Sequence, residues 1–293
     1  MRALTDIAAD NLQLWHESGA RARALCLLQQ EQLGRAAAGT WMEEGKPPVP
    51  PTIPEDSPCA RAEAVEEQVA FVRGFLSLVP DFSARELREL TPAPPAPNAP
   101  CVAFLDSEIG RDALRRFECV LPHLRPHPVS SFTAVCEEIA NDRADFALLP
   151  LEDSREGKFL HLYEEIDRFE LRITHVCTVP YADRGRSVLM ALLSRRYTPV
   201  PSAPGDWLLA CTVFGEDART LSDLLIAAAA TGLQLHHIDT LPSPYGEGGA
   251  FYHPVFCTES AQSDALFLAY LALCLPRAHV TARYLHLKEE IYD

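Results

Sequence analysis

Apolar positions along this chain keep one rhythm in its first third and another in the rest. Residues 3 to 38 carry Ile7, Leu14, Leu25 and Leu28 with no proline before Pro47, which predicts one long helix weakened at Gly19 and Gly34. A second helix is predicted over residues 64 to 78, and Ser83 followed by Glu86 has the spacing of a capping box that opens a short third. KPPVPPTIPEDSP (46 to 58) and TPAPPAPNAP (91 to 100) are stiff, proline-rich connectors, the second marking the clearest domain boundary.

Beyond residue 100 the pattern alternates between strand and helix. CVAFL (101 to 105) reads as a strand, followed by a helix through Ala113 and Phe117 and a short strand near Val129. Phe132, Val135 and Ile139 mark the next helix. Phe146 to Leu149 form a continuous apolar run that Pro150 is expected to end, and Leu162, Ile166 and Phe169 mark a helix behind it. LRITHVCTV (171 to 179), with Leu171, Ile173 and His175 alternating with more polar neighbours, and VLMALLS (188 to 194) complete a small α/β unit. After YTPVPSAPG (197 to 205) the order strand, helix, strand, strand, helix, strand is ferredoxin-like. The expected fold class is α/β with α+β: a helical block over 1–92, a single α/β lobe over 101–195 and a ferredoxin-like βαββαβ domain over 206–287.

Composition narrows the functions open to it. At 293 residues with 47% apolar content the chain fills several cores, and its formal charge of −15 argues against nucleic acid or an anionic membrane as partner. Asp6, Asp10 and Glu17 suit neither a secretory signal nor a transit peptide, and no apolar stretch has membrane-spanning length, so the expected location is the cytoplasm. Nine scattered cysteines lack C-x-x-C spacing and read as structural thiols. His123 and His127 sit among prolines that forbid the helix needed to bring them together, and His236 and His237, adjacent on a strand, are expected to point to opposite faces. Gly246, Gly248 and Gly249 precede no helix and so make a poor phosphate loop. We expect no metal and no cofactor.

Candidate chemistry gathers at the polar turn after the 146–149 strand, where Glu152, Asp153, Ser154 and Gly157 precede a helix. Open α/β sheets place ligands in such loops; the alternative is that Asp153 or Ser154 merely caps the helix.

The fragment FALLPLEDSREGKFLHLYEEIDRFELRI resembles the prephenate dehydratase pattern of a strand ending in Pro-Ile-Glu-Asn-Ser, a glycine three residues later and a helix. Glu152, Ser154 and Gly157 match, and Asp153 departs. VAFLDSEIGRDAL resembles the family's opening strand and Gly-Pro-x-Gly loop, with Asp106 and Ser107 in place of the first glycine and the proline. Residues 206 to 287 are similar to the ACT domain that binds phenylalanine in these enzymes, and the helical block looks like the chorismate mutase domain of the bifunctional members. The resemblance implies a substrate held between two lobes, but residues 180 to 187 leave no room for a second lobe. The family's Thr-Arg-Phe motif, aligned on Ser194, falls on Val188, Leu189 and Met190, none of which donates a proton or carries a charge. A short register shift offers Arg186 and Ser187 instead.

In the ACT-like part, the family's ligand signatures fall on Arg219, Thr220 and Leu221 and on Asp239, Thr240, Leu241 and Pro242, so the candidate ligand residues are Asp217, Thr220, Leu221, Asp239, Thr240 and Pro242. A plain dimerisation module is the alternative. The resemblance implies a homodimer through this domain and a small-molecule ligand such as an aromatic amino acid. Two main readings stand: a non-catalytic regulatory or scaffold protein derived from a prephenate dehydratase, and a minimal dehydratase with a rearranged site. Whether Arg186 and Ser187 face the 152–157 turn separates them. A surviving chorismate mutase is a third, needing free cations among Arg21, Arg23, Arg35, Lys46 and Arg61.

Overall fold

The computed structural model describes residues 4–45, 48–53, 58–82, 94–181, 185–197, 199, 205–215, 218–242 and 250–288. The expected capping box at Ser83 and Glu86 and the glycine turn at 246–249 lie outside them. The fold is mixed α/β, with a helical amino-terminal block and a ten-stranded mixed sheet. The chain forms two compact units: Met1–Glu89 with Thr212–Pro254 and Ser260–His279, and Leu90–Cys211 with Val255–Glu259 and Val280–Asp293.

In the first unit, helix α1 (Leu4–Glu44) runs further than its apolar pattern predicts, because nothing breaks it before Gly45. Gly45 adopts the left-handed conformation (φ 67°) and returns its N–H to the Trp41 carbonyl at 2.9 Å, an αL cap. Helix α2 (Pro58–Leu76) packs against it. Gly34 sits where a Cβ would collide with the Phe71 carbonyl oxygen, and Gly74 where one would collide with that of Glu31, so each helix lends the other a bare stretch of backbone. Gly34, weak by propensity, is therefore a packing position. Trp41, Phe75 and Phe82 close one end of the pair edge to face, with Phe75 and Phe82 centred 5.2 Å apart. Helices α6 (Ala218–Thr231) and α7 (Ala261–Cys274) complete this core with α2: Arg61 reaches Asp223 at 2.6 Å, and the buried Tyr270 hydroxyl donates to Gln68 at 3.2 Å.

The second unit is built on β1 (Cys101–Leu105), α3 (Glu108–Phe117), β2 (Arg125–Val129), α4 (Phe132–Ala140), β3 (Phe146–Asp153), β4 (Gly157–Lys158), α5 (Leu160–Arg168), β5 (Arg172–Pro180) and β6 (Ser187–Ser194). β1 is parallel to β2 and β3, while β6 returns antiparallel between β3 and β5, giving the order β2-β1-β3-β6-β5. One face of this sheet buries Val102, Phe104, Phe146 and Leu148 with Ala113, Leu114 and Phe117 of α3. The other buries Ala103, Ala147 and Leu149 with Val135 and Ile139 of α4 and Ile166 of α5. Burial on both faces is why β3 reads as an unbroken apolar run.

Two expectations change here. Pro150 does not end β3: the strand continues to Asp153, and the irregularity between Pro150 and Glu152 lets the ladder with β6 absorb a residue that has no N–H. The alternation read in β5 also fails, because the register slips between Ile173 and His175 and both faces are covered, leaving His175 1% exposed.

The sheet continues through β10 (Ala278–Leu287), β7 (Gly205–Gly215), β9 (Ala250–Thr258) and β8 (Gln234–Pro242), in the order β10-β7-β9-β8. That arrangement of β7-α6-β8-β9-α7-β10 is ferredoxin-like. β10 pairs in parallel with β5, setting Leu285 opposite His175.

Candidate functional site

The polar turn after β3 is not a helix cap. Asp153 and Ser154 lie well before α5, which begins at Leu160, and the chain first doubles back as a hairpin that pairs Glu152 with Lys158 and Asp153 with Gly157. Gly157 adopts φ 81°, the left-handed position such a tight hairpin requires, which gives its match to the family pattern a physical basis. Asp153 holds the turn: its Oδ1 accepts from the backbone N–H of Arg155 at 2.9 Å and of Glu156 at 3.2 Å.

Arg186 and Ser187 do face this turn. The Arg186 guanidinium donates through Nε to Asp153 Oδ2 at 2.8 Å and through a terminal nitrogen to Glu156 Oε1 at 2.6 Å, and it stacks over the Tyr181 ring at 4.5 Å. Ser154 Oγ accepts from the Ser187 N–H at 2.9 Å, while the Ser154 N–H donates to the Ser187 carbonyl at 2.9 Å. Burial works against the Asp153 carboxylate, but two backbone N–H groups and Arg186 together outweigh it and hold its pKa below the ordinary value. Asp153 is closed off from solvent by these partners. The hydrogen bond that Arg186 donates to Asp153 in turn raises the guanidinium pKa above its ordinary value. The cation that a register shift offers is therefore present at the turn and already held by two carboxylates.

Beside the turn lies a cavity of about 200 Å³. Its walls come from β1, β3 and β6 and from the starts of α3, α4 and α5, among them Phe104, Ile109, Phe132, Leu148 and Phe159. Val188 and Met190, which fall on the family's Thr-Arg-Phe motif, both line it; Leu189 between them does not. Ser107, His161 and Tyr181 are its polar lining groups, and no lysine or arginine lines it among the described residues. Gly110 also lines it and packs so tightly on β1 that a Cβ would meet the Leu105 carbonyl oxygen at 2.5 Å. Ser107 caps α3 by accepting from the Gly110 N–H at 3.0 Å. Sequence reasoning named Ser107, Val188 and Met190 through the family resemblance but not Ile109, Phe159, His161 or Tyr181 as lining residues, and the serine three residues before a glycine at a strand-to-helix junction was a further readable signal.

The remaining candidates are dispersed. Thr220 and Leu221 are half-buried in the first turn of α6; Asp239 is half-buried on β8, where it pairs with His237 at 3.4 Å, and Thr240 is exposed. Asp217 lies outside the described residues, as does the side chain of Pro242. His236 and His237 do not point apart: their Nδ1 atoms are 2.7 Å from each other on the exposed part of β8, the last strand of the sheet, where both rings can lean together. No group of three or more histidine, cysteine, aspartate or glutamate side chains among the described residues is placed to hold a metal ion. In the helical block Arg23 is tied to Glu66 at 2.9 Å and Glu67 at 2.7 Å, and Arg61 to Asp223, while Arg21 and Arg35 are exposed. Lys46 lies outside the described residues. Arg23 and Arg61 thus already serve helix packing. No helix among the described residues is long and apolar enough to cross a membrane.

No family model matches the sequence, and no curated protein matches it. Solved structures do. The chain is similar to prephenate dehydratase from Streptococcus mutans, with 18% identity and a TM-score of 0.54 over 65% of this chain and 100% of that one. It is also similar to the quorum-quenching acylase GqqA (14% identity, TM-score 0.49, 63% of this chain and 94% of that one). A third is prephenate dehydratase from Arthrobacter aurescens in complex with L-Phe (14%, 0.46, 63% and 89%). The fold is prephenate dehydratase-like.

Proposed function

We propose that this protein is a non-catalytic regulatory or scaffold protein on a prephenate dehydratase-like fold, and that it binds a small molecule rather than transforming one. The observation that carries the reading is the engagement of Arg186 by Asp153 and Glu156 beside a cavity whose wall is apolar at Val188 and Met190. Prephenate is a dicarboxylate that loses carbon dioxide and hydroxide together, so its site must supply a cation for a carboxylate and a donor for the leaving oxygen. A dicarboxylate arriving here finds Arg186 already held by two carboxylates, and displacing Asp153 would strand a desolvated charge. Only residues 181–186 separate β5 from β6, too few to carry a second lobe that would close over a substrate.

The same reading divides the chain into a helical segment (1–92), a truncated lobe (101–195) and an ACT-like segment (206–287). It assigns ligand sensing to the last through Thr220, Leu221, Asp239 and their neighbours, association to a homodimer through the same segment, and residence to the cytoplasm. Light scattering at micromolar concentration tests the dimer; a monomer would remove it.

A minimal dehydratase is the second reading, favoured by the approach of Arg186 and Ser187 to the 152–157 turn. The deciding assay follows phenylpyruvate absorbance in alkali after incubation with prephenate, with Ser154→Ala and Arg186→Ala as controls. We expect no turnover above the spontaneous rate. Turnover that either substitution abolishes would establish the rearranged site and end the non-catalytic reading.

A further inference from the structure

We propose that the cavity between β1, β3, β6 and the starts of α3 and α5 is a binding site for an uncharged, mainly apolar ring compound of one or two rings. The proposal rests on the non-catalytic reading and gives the cavity a ligand of its own, beside the one that reading assigns to the 206–287 segment.

The pocket of about 200 Å³ beside the hairpin is concave, partly open to solvent and mainly apolar, as small-molecule sites are. Its size sets the ligand. An apolar protein cavity of about 150 Å³ admits benzene, and this one admits a substituted ring or a fused pair such as indole; drug-sized pockets begin at about 300 Å³. Its walls set the chemistry. Leu148, Met190, Val188 and Ile109 offer dispersion contacts and no charge, while Phe104 and Phe159 offer ring faces and edges. The Arg186 guanidinium, which lies over the ring of the lining Tyr181, turns to Asp153 and Glu156, so a carboxylate entering the cavity would find no lysine or arginine in the lining to pair with. One polar group of the ligand can be met by Ser107, the other polar lining groups being the solvent-exposed His161 and Tyr181, whose hydroxyl is engaged with Asp153. Ser107 Oγ accepts the Gly110 N–H and still has its own hydrogen and a second lone pair, enough for a phenol hydroxyl or an indole N–H.

The chain holds three methionines, and two of them report on this idea without any substitution: Met190 lines the cavity and Met42 is 59% exposed on α1. With the full chain labelled at its methionine methyls, titration with 5-fluoroindole should move the Met190 resonance saturably and leave Met42 in place. The fluorine signal should broaden or shift in parallel. Phenylpyruvate, phenylalanine and prephenate should leave Met190 unmoved. Val188→Phe, which fills the cavity from β6, should abolish the Met190 response while circular dichroism reports a folded chain; Val188→Ile, the milder filling, should weaken it by at least tenfold.

No Met190 shift up to millimolar 5-fluoroindole would overturn the proposal, as would equal shifts at Met42 and Met190, or a response that survives Val188→Phe. A Met190 response to the charged compounds without turnover would overturn the neutral class and leave the non-catalytic reading standing. Conversion of prephenate would overturn the reading beneath both.

Discussion

Arg186 Nε donates to Asp153 Oδ2 at 2.8 Å, joining the end of β3 to the residue that precedes β6. The pair fixes the hairpin that borders the cavity, because the other Asp153 oxygen already holds the turn's backbone. Both residues thus have a structural duty at the turn.

If that duty is real, Arg186→Met should destabilise the protein more than the double substitution Arg186→Met with Asp153→Asn. The single change leaves a carboxylate shut away without its cation, whereas the double change removes the charge as well. Urea midpoints at neutral pH report the order. A double variant less stable than both singles would mean that the pair is not coupled in this way.

His175 should make the protein sensitive to mild acid. It is buried in β5 opposite Leu285, neither ring nitrogen has a hydrogen-bond partner, and burial pushes its pKa down to about 4. A depressed histidine pKa means that stability is full above the unfolded value near 6.5 and falls as the pH drops towards 4, where the folded form begins to take the proton. The span corresponds to about 3 kcal/mol as an upper figure. His175→Leu should flatten the stability profile between pH 6.5 and 4, measured as urea midpoint against pH. An unchanged slope would assign the acid limb to other groups.

How far the sequence carried the structure varies with the range of the forces involved. Strands β1, β3 and β6 were legible because burial on both faces writes itself as consecutive apolar residues such as Ala147, Leu148 and Leu149. The long α1 was legible too, but its end was not, since a lone Gly45 is a cap only once it turns left-handed. The two-residue strand β4 left no pattern to read. Asp153 looked like a cap because its only near neighbours are the turn; its decisive partner, Arg186, arrives through sheet register, which a local pattern does not encode. The cavity was invisible for the same reason, its walls being drawn from separate strands and helices.

Gly157 gives a clean conformational test. Its φ of 81° lies in the left-handed region and no atom would meet an added Cβ, so Gly157→Ala should cost about 1 kcal/mol from backbone strain alone. Gly157→Asn should cost less, since asparagine tolerates that region. The comparison is made by thermal unfolding; equal losses for alanine and asparagine would point to a different origin.

Three glycines in the helical segment should respond to alanine in opposite directions. At Gly34 and Gly74 an added methyl would collide with carbonyl oxygens of the facing helix, and backbone on both sides leaves nothing flexible to yield. Overpacking of this kind typically costs about 1–3 kcal/mol, and separating α1 from α2 would also loosen the tie from Arg23 to Glu66 and Glu67. At Gly19 no atom lies within reach, so Gly19→Ala brings only the helix propensity gain, about 1 kcal/mol. Urea unfolding followed by helical circular dichroism should therefore rank Gly19→Ala above the natural chain and both Gly34→Ala and Gly74→Ala below it. Were Gly34→Ala to stabilise as Gly19→Ala does, the close contact of the two helices would be wrong.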